Sequence, residues 1–169
     1  MRLKDKVAII TGGSRGIGFA TADAFLREGA KVAVAASSEK NAEAAVEKLK
    51  AIHPDAEVVG ISPNLGSFES VKEEFDKVEK QFGRIDILVN NAGVSESTPF
   101  TSYTEADFDR VIDLNVKGVF NATRAVVDGM IKNHSGVVLN TSSMVSISGQ
   151  PSGFAYPASK FAVNGTTIS

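Results

Sequence analysis

The feature that most constrains the fold is a glycine-rich turn between an apolar run and a helical pattern, near the start of the chain. The run KVAIIT at residues 6–11 is apolar and β-branched, which predicts a buried strand. The turn TGGSRGIG follows at 11–18, and GIGFATADAFLREG then predicts a helix that ends with Gly29 in the C′ position. A strand, a tight turn and a helix in direct succession predict the first half of a βαβ unit.

The same alternation continues along the chain. Short apolar runs predict further strands at 31–36, 56–61, 85–90 and 136–142. Helical patterns separate them at 39–52, at 67–83 with Ser67 as N-cap and Gly83 as the stop, and from about 104 to 132; a last helix begins near Ala155. The sequence therefore predicts an α/β fold, a doubly wound parallel sheet of Rossmann type with helices on both faces, in one domain over residues 1–169.

Composition excludes several classes of protein. The chain has no cysteine, which rules out disulfides, zinc–thiolate sites and thiol nucleophiles. Its net charge of −2 gives no basic footprint for nucleic acid or for an anionic membrane surface. No apolar stretch approaches the roughly 18 residues that a membrane span needs, and the N-terminus lacks the pattern of a signal peptide. We expect a cytoplasmic enzyme or binding domain with a small-molecule ligand.

The glycine turn itself predicts a dinucleotide site, because ligands of such sheets bind at the carboxyl ends of the strands. Gly12 permits the tight turn, Gly16 lets the backbone approach a pyrophosphate, and Gly18 lets the helix pack close to the sheet. Free N–H groups at the helix N-terminus favour the phosphates. A turn that serves packing alone is the alternative. A P-loop does not fit, since no Gly-Lys-Ser/Thr follows.

The end of the second predicted strand bears on the choice of nicotinamide cofactor. An acidic residue there would bind the ribose hydroxyls and repel a 2′-phosphate. The sequence has Ala35, Ala36 and Ser37 instead, and Glu39 falls where the next helix begins. Arg15, inside the glycine turn, is placed to meet a 2′-phosphate, although it can also be read as an ordinary surface arginine. These residues favour NADP(H) over NAD(H).

Four motifs in register carry a resemblance to a known family: TGGSRGIG at 11–18, NNAG at 90–93, LNVKG at 114–118, and Ser143 followed by YPASK at 156–160. Their order and spacing resemble the short-chain dehydrogenase/reductases. Within that family SRGIG, the serine after the second strand and DILVNNAGV resemble the 3-oxoacyl-acyl-carrier-protein reductases. The resemblance implies an NADPH-dependent oxidoreductase that reduces a ketone, such as a 3-oxoacyl thioester, to a secondary alcohol. Steroid, sugar and other carbonyl or alcohol dehydrogenases share these features.

The chemistry of ketone reduction explains the spacing of Tyr156 and Lys160, which are four residues apart on a predicted helix and so share one face. A phenol has an ordinary pKa of about 10 and is a reluctant proton donor at neutral pH. A neighbouring ammonium stabilises the phenolate form and lowers that pKa. Tyr156 is therefore the expected proton donor, and the resemblance implies that Lys160 also binds the nicotinamide ribose. A half-buried tyrosine beside a surface lysine is the alternative.

Ser143 and Asn115 complete the catalytic set that the resemblance implies. The Ser143 hydroxyl is expected to polarise the substrate carbonyl, and the neighbouring serines that compete for this role are Ser142, Ser146 and Ser148. Asn115 lies in the apolar stripe of the long predicted helix. It is either a core amide whose hydrogen bonds are satisfied or, as the resemblance implies, the residue that holds a water linking Lys160 to solvent.

The resemblance also implies the cofactor contacts. Asn64 and Leu65 stand where the family has an aspartate followed by an aliphatic residue that contacts the adenine, so Asn64 is a departure from the pattern. Asn90 is expected to bridge neighbouring strands. The expected cofactor-binding residues are Gly12, Ser14, Arg15, Gly16, Ile17, Gly18, Ser37, Asn64, Leu65, Asn91, Ala92, Gly93, Tyr156 and Lys160. No metal ligand is expected.

Members of the family continue beyond the point where this chain ends, nine residues after Lys160. The resemblance implies further strands, a mobile segment over the substrate and a homo-oligomer, dimer or tetramer, at full length. We therefore expect a C-terminally incomplete chain whose fifth strand lies at an open edge. A truncated, non-catalytic dinucleotide-binding remnant is the alternative. The two histidines, His53 and His134, fall in predicted loops and are expected to be solvated.

Overall fold

All five strands form one parallel sheet in the order β3-β2-β1-β4-β5. The computed structural model describes residues 1–169. The strands are β1 (Val7–Thr11), β2 (Lys31–Ala35), β3 (Val58–Ile61), β4 (Ile87–Asn90) and β5 (Val137–Asn140). After β3 the chain returns to the other side of β1, so the strand order reverses between β1 and β4. Ligands of open α/β sheets bind in the crevice at such a reversal, outside the carboxyl ends of the strands.

Helices cover both faces of the sheet. They are α1 (Gly16–Arg27), α2 (Glu39–Ile52), α3 (Phe68–Phe82), α4 (Glu105–Ile112), α5 (Gly118–Lys132), α6 (Val145–Ser148) and α7 (Ala155–Ile168). The predicted doubly wound α/β fold is confirmed, and each predicted strand end lies within two residues of the observed one. The single-turn α6 and the short 3-10 turn Phe100–Ser102 were not predicted, because neither is long enough to show an apolar periodicity.

Two apolar layers hold the helices on the sheet. On one face, Phe75 of α3 and Val126 of α5 pack with Ile9 of β1. On the other face, Leu26 of α1 and Leu49 of α2 belong to the second layer. Successive residues of a strand point to opposite faces, so a strand that is covered on both sides must be apolar throughout. This requirement explains why β1 reads as an unbroken apolar run.

The ends of the helices follow the capping residues that the sequence predicts. Ser67 caps α3 by accepting a hydrogen bond from the Ser70 N–H, and Gly83 ends the helix with a φ of 87°. Gly29 follows α1 with a φ of 86°. Glycine adopts these left-handed angles without the strain that a side chain would add. The chain therefore turns back towards the sheet at the predicted points.

The long helix predicted from about 104 to 132 contains a π-helical turn. The segments α4 and α5 run on from one another through Asp113–Lys117, where the Gly118 N–H donates to the carbonyl oxygen of Asp113, five residues earlier. Apolar spacing alone did not predict the turn, since it adds one residue to an otherwise helical pattern. Single π-helical turns occur frequently at functional sites. This one places Asn115, which is only 1% exposed, inside the protein.

The strand β5 lies at one edge of the sheet and pairs only with β4. Two of its apolar side chains, Val137 and Leu139, are about half exposed. None of the helices combines the length and the apolar character that crossing a lipid bilayer requires.

The structure corrects the prediction for one histidine. Rather than being solvated, His53 lies partly buried at the end of α2, with its Nε2 2.7 Å from Oδ1 of Asp23 on α1. The sequence did not reveal this pair because the two residues come together only when α1 and α2 pack side by side. His134 is exposed, as predicted.

Candidate active site

A cavity of about 690 Å³ opens at the carboxyl ends of β1 to β4, where the strand order reverses. The residues that line it are Gly12, Ser14, Arg15, Gly16, Ile17, Ala35, Ala36, Ser37, Ser62, Pro63, Asn64, Leu65, Asn91, Ala92, Gly93, Val94 and Leu114. Every cofactor-binding residue expected from the sequence is among them except Gly18, Tyr156 and Lys160. Ser62, Pro63, Val94 and Leu114 were not predicted to line the cavity. Val94 and Leu114 lie in the DILVNNAGV and LNVKG motifs, whereas Ser62 and Pro63 carry no motif of their own.

Two loops form the floor of this cavity and are joined by Thr11. Its Oγ1 accepts hydrogen bonds of 3.0 Å from both the Asn91 N–H and the Ala92 N–H. The side chain of Asn91 in turn donates to the carbonyl oxygens of Thr11 and Gly12, at 3.0 and 3.3 Å. The glycine turn after β1 and the NNAG turn after β4 therefore form one rigid surface. The sequence places Thr11 at the start of the glycine turn but does not reveal these contacts.

The glycines of the first turn have the shape that a bound diphosphate needs. Gly12 has a φ of 65°, and a Cβ there would lie 2.9 Å from Cα of Ala92. Gly18 is buried against the turn, so that a Cβ would overlap the carbonyl oxygen of Gly12. At Gly16, with a φ of 54°, no atom lies within 4 Å of a Cβ position, which leaves that space open at the start of α1. The cradle fits a pyrophosphate, with free helix N–H groups beside it.

The charge of the cavity wall comes from a single side chain. Arg15 is exposed and is the only charged residue that lines the cavity. No carboxylate lies in the cavity wall. Ser37 also lines it, and its Oγ accepts a hydrogen bond of 3.3 Å from Nδ2 of Asn41. Glu39 is the first residue of α2 and does not line the cavity, as predicted. The wall therefore favours an additional negative charge next to Arg15.

Asn64, the departure from the family pattern, already uses one of its polar atoms. Its Oδ1 accepts a hydrogen bond of 3.0 Å from the Gly66 N–H, and its own N–H donates to Ser70 Oγ. Its Nδ2 makes no hydrogen bond within the protein, and Asn64 lines the cavity. The carbonyl oxygen of Leu65 accepts a hydrogen bond of 2.8 Å from Asn121 Nδ2 on α5, which fixes the backbone of Leu65.

Lys160 stands where the cavity and the candidate catalytic residues meet. Its Nζ lies 5.8 Å from the centroid of the Tyr156 ring and donates a hydrogen bond of 2.7 Å to the carbonyl oxygen of Thr141. A Cβ on Gly93, which lines the cavity, would be 3.8 Å from the same Nζ. Lys160 is only 6% exposed, and this burial lowers its pKa from the ordinary 10.5. The Thr141 anchor was not predicted, because a backbone carbonyl leaves no mark on the sequence.

Ser146 connects the backbone of Ser143 to α7. Ser146 Oγ donates to the carbonyl oxygen of Ser143 at 2.5 Å and accepts a hydrogen bond of 2.9 Å from Asn164 Nδ2 on α7. Ser142 Oγ donates to the carbonyl oxygen of Lys160 at 3.3 Å, and Ser148 Oγ donates to backbone oxygens of its own turn. The three competing serines are thus engaged with backbone. The hydroxyl of Ser143 accepts only a weak hydrogen bond of 3.4 Å from the Val145 N–H.

Asn115 lies in the π-helical turn with its amide engaged by the protein. Its Oδ1 accepts from the Val94 N–H at 2.9 Å, and its Nδ2 donates to the Val94 carbonyl oxygen at 2.8 Å and to Ser159 Oγ at 3.0 Å. The asparagine therefore ties the cavity wall at Val94 to the helix that carries Tyr156 and Lys160. Asn90, as predicted, bridges strands: its Nδ2 donates to Asn140 Oδ1 on β5 at 2.9 Å.

The chain is similar to known proteins over its whole length. The sequence model of one family, described as short chain dehydrogenase, matches residues 6–169. A 3alpha-hydroxysteroid dehydrogenase of Mediterraneibacter gnavus is 51% identical over 169 residues, which are 100% of this chain and 68% of that protein. A 3-oxoacyl-acyl-carrier-protein reductase of Thermotoga maritima is 41% identical over 167 residues, 99% of this chain and 67% of that protein.

Two solved structures superpose closely on the chain. The crystal structure of levodione reductase gives a TM-score of 0.93 at 36% identity and covers 98% of this chain and 65% of its own. The structure of NAD⁺-bound xylitol dehydrogenase gives a TM-score of 0.93 at 33% identity and covers 99% of this chain and 64% of its own. The chain thus spans about two thirds of the length of the proteins that it matches.

Proposed function

The chain belongs to the short chain dehydrogenase family, and from that premise we propose that it interconverts a ketone and a secondary alcohol with NADP(H) as the cofactor. The observation that carries the proposal is the position of Lys160. Lys160 is buried, and its Nζ lies 5.8 Å from the centroid of the Tyr156 ring and beside the cavity wall at Gly93. The Lys160 cation therefore lies between the proposed dinucleotide site and the proposed proton donor, Tyr156.

The proposed reduction divides the chemistry among three side chains. When bound, the reduced nicotinamide supplies a hydride to the carbonyl carbon. Ser143 donates a hydrogen bond to the carbonyl oxygen and so polarises the bond. Tyr156 transfers its hydroxyl proton to that oxygen as negative charge develops there. Lys160 stabilises the phenolate that remains, because an ammonium lowers the free energy of a nearby anion in a poorly solvated site.

Asn115 has two roles in this proposal. Its contacts with Val94 and Ser159 keep the cavity wall and α7 in a fixed relation around Lys160. The second lone pair of its Oδ1 is the acceptor left for a water that would return protons from solvent to Lys160. In the proposal, Lys160 also binds the hydroxyls of a nicotinamide ribose.

The preference for NADP(H) rests on the charge of the cavity wall. Arg15 is its only charged residue, and the end of β2 contributes alanines and Ser37 rather than a carboxylate. A 2′-phosphate there would gain a charge-assisted hydrogen bond from Arg15 and would meet no repulsion. The Nδ2 of Asn64, which has no partner within the protein, would donate to a ring nitrogen of the adenine.

Two substrate classes are candidates for the site, namely 3-oxoacyl thioesters and steroids. Met144 and Ile147, beside Ser143, are about three-quarters exposed, and such an apolar surface favours an apolar substrate over a sugar. The higher identity to the 3alpha-hydroxysteroid dehydrogenase, 51% against 41%, favours the steroid. The same surface accepts a fatty acyl chain, so the thioester is the second candidate.

A direct assay decides among these candidates. The protein is incubated with NADPH or NADH and a 3-ketosteroid, a 3-oxoacyl thioester or a ketose, and oxidation of the cofactor is followed by absorbance. We expect turnover with NADPH and one of the two apolar ketones. Turnover with none of them would overturn the proposed activity and favour a non-catalytic dinucleotide-binding role.

The proposal includes a homo-oligomer. Four large apolar side chains on α5 and α7 are at least half exposed, namely Phe120, Ile131, Phe161 and Ile168. Burying them against a second copy would remove apolar surface from water. Light scattering after gel filtration is expected to give a mass of two or four chains.

A further inference from the structure

Glu96, in the loop that follows β4, reaches across to the start of α7. Its Oε1 accepts hydrogen bonds from the Phe154 N–H at 2.9 Å and from the Tyr156 N–H at 3.3 Å. Its Oε2 accepts one of 3.2 Å from the Thr98 N–H. No motif of the sequence marks this residue, and the proposed chemistry does not use it. A partly buried carboxylate is nevertheless engaged by three backbone N–H groups, two of them at the first turn of the helix that carries Tyr156 and Lys160.

The start of α7 needs an acceptor from outside the helix. The first N–H groups of a helix have no partner within it. The N-cap residue, Phe154, has no polar side chain to supply one, and Pro157 has no N–H at all. The first internal hydrogen bond, from the Ala158 N–H to the Phe154 carbonyl oxygen, is long at 3.4 Å. Glu96 therefore provides the cap, and its negative charge suits the positive end of the helix dipole.

Two further hydrogen bonds hold the same two segments together. The Glu96 carbonyl oxygen accepts a hydrogen bond of 3.3 Å from Gln150 Nε2, and the Gly153 N–H donates to the Thr98 carbonyl oxygen at 3.1 Å. Gly153 has a φ of 81°, and a Cβ there would lie 2.5 Å from the Glu96 carbonyl oxygen. Only glycine allows so close an approach. The loop around Glu96 and the entry to α7 thus form one unit.

This unit connects the cavity with the proposed proton donor. Gly93 lines the cavity and lies three residues before Glu96, whose carboxylate is bonded directly to the backbone of Tyr156. We propose that Glu96 is a positioning residue that fixes Tyr156 relative to Lys160 and to the cavity by capping α7. The inference rests on the proposed function, since positioning has meaning only if Tyr156 delivers a proton.

Loss of the cap should leave the fold intact, because other contacts hold the same region. The Phe154 ring packs against three aromatic rings, with centroids 5.1 Å away at Phe100, 6.4 Å at Tyr103 and 6.3 Å at Phe108. Removing the carboxylate then displaces the first turn of α7 slightly rather than unfolding it. A displacement of about 1 Å at a reacting group costs on the order of a hundredfold in rate.

The test compares Glu96→Ala and Glu96→Gln with Glu105→Ala, which removes an exposed carboxylate from the start of α4. Amide hydrogen exchange is measured at Phe154 and Tyr156, together with kcat, KM, the pH profile and the dissociation constant for NADPH. For Glu96→Ala we expect exchange at these two amides to be about tenfold faster and kcat to fall about ten- to a hundredfold, with NADPH binding unchanged.

Further readouts separate positioning from a purely structural role. The pH at which alcohol oxidation reaches half its maximal rate is expected to move upwards in Glu96→Ala, because Tyr156 is then less well placed beside Lys160. Glu96→Gln keeps an acceptor oxygen and should restore part of both exchange protection and kcat. Glu105→Ala should change neither.

The outcomes are distinct. Unchanged exchange at Phe154 and Tyr156 in Glu96→Ala would show that Glu96 is not the cap and would overturn the inference. Faster exchange with unchanged kcat and pH profile would overturn the positioning role. If the unmodified protein turns over no ketone, the proposed function itself fails, and the exchange data still report whether Glu96 caps the helix.

Discussion

Asn115 Nδ2 donates a hydrogen bond of 3.0 Å to Ser159 Oγ, which joins the π-helical turn to α7. Ser159 lies between Tyr156 and Lys160 and passes the constraint on, because its Oγ donates to the Tyr156 carbonyl oxygen at 2.7 Å. The two candidate catalytic residues are thus oriented from a different helix. This connection explains why the polar side chain of Asn115 lies buried in the apolar stripe of the helix.

Replacing Asn115 with alanine should lower the stability of the protein as well as its rate of turnover. Both polar groups of Val94 lose their partner and the Ser159 hydroxyl loses the hydrogen bond that it accepts, and each buried group left unpaired costs about 1–3 kcal/mol. We expect the free energy of unfolding, measured by urea denaturation, to fall by at least about 2 kcal/mol. Asn133→Ala, at the exposed end of α5, is the control. A loss below about 0.5 kcal/mol at Asn115, typical of surface sites, would contradict the account.

The glycine turn is tested by alanine substitutions at two glycines that both have left-handed backbone angles. Gly16 and Gly83 have φ values of 54° and 87°, and no atom lies within 4 Å of a Cβ at either position. Each alanine should cost about 1–2 kcal/mol of stability through the left-handed backbone. Only Gly16→Ala should weaken NADPH binding, by about tenfold, equivalent to about 1.4 kcal/mol, because its Cβ occupies the space for the pyrophosphate. Equal dissociation constants for the two variants, measured by calorimetry, would argue against the cradle.

Arg15→Ala tests the discrimination between the two nicotinamide cofactors. Loss of a charge-assisted hydrogen bond to a 2′-phosphate should weaken NADPH binding about ten- to a hundredfold and leave NADH binding nearly unchanged. Arg110→Ala, an exposed arginine of α4, serves as the control for loss of positive charge. If Arg15→Ala weakens both cofactors equally in fluorescence titrations, Arg15 does not bind the 2′-phosphate.

Much of this arrangement could be predicted from the sequence, because local patterns encode it. The apolar runs predicted the strands, and Ser67 and Gly83 predicted the ends of α3. The glycine turn and Ser37 predicted the wall of the cavity, since parallel strands must bring their carboxyl ends together.

What the sequence did not predict depends on contacts between distant segments. Thr11 joins two loops that are about 80 residues apart, and Thr141 offers Lys160 a backbone oxygen. His53 pairs with Asp23 only after α1 and α2 pack together. Glu96 caps a helix that begins 59 residues later in the chain, at Ala155. Neither periodicity nor motif spacing contains such information.

The burial of Lys160 predicts a specific dependence of stability on pH. Burial lowers its pKa from 10.5, so the unfolded state binds more protons than the folded state between the lowered value and 10.5. The free energy of unfolding contributed by Lys160 therefore rises with pH across that window. We expect the difference in unfolding free energy between the unmodified protein and Lys160→Met to grow as the pH is raised towards 10.5. Lys48→Met, on the exposed side of α2, is the control. A difference that stays constant with pH would contradict the buried ammonium.

The central claim, that Tyr156 delivers the proton beside Lys160, is tested most directly by the turnover of Tyr156→Phe. The substitution removes one oxygen and keeps the ring, so stability should be nearly unchanged and NADPH binding should lose at most the contribution of one hydrogen bond. We expect kcat for ketone reduction, followed by the absorbance of NADPH, to fall by at least about a hundredfold, as is typical when a general acid is removed. A kcat within a few-fold of that of the unmodified protein would show that another group supplies the proton.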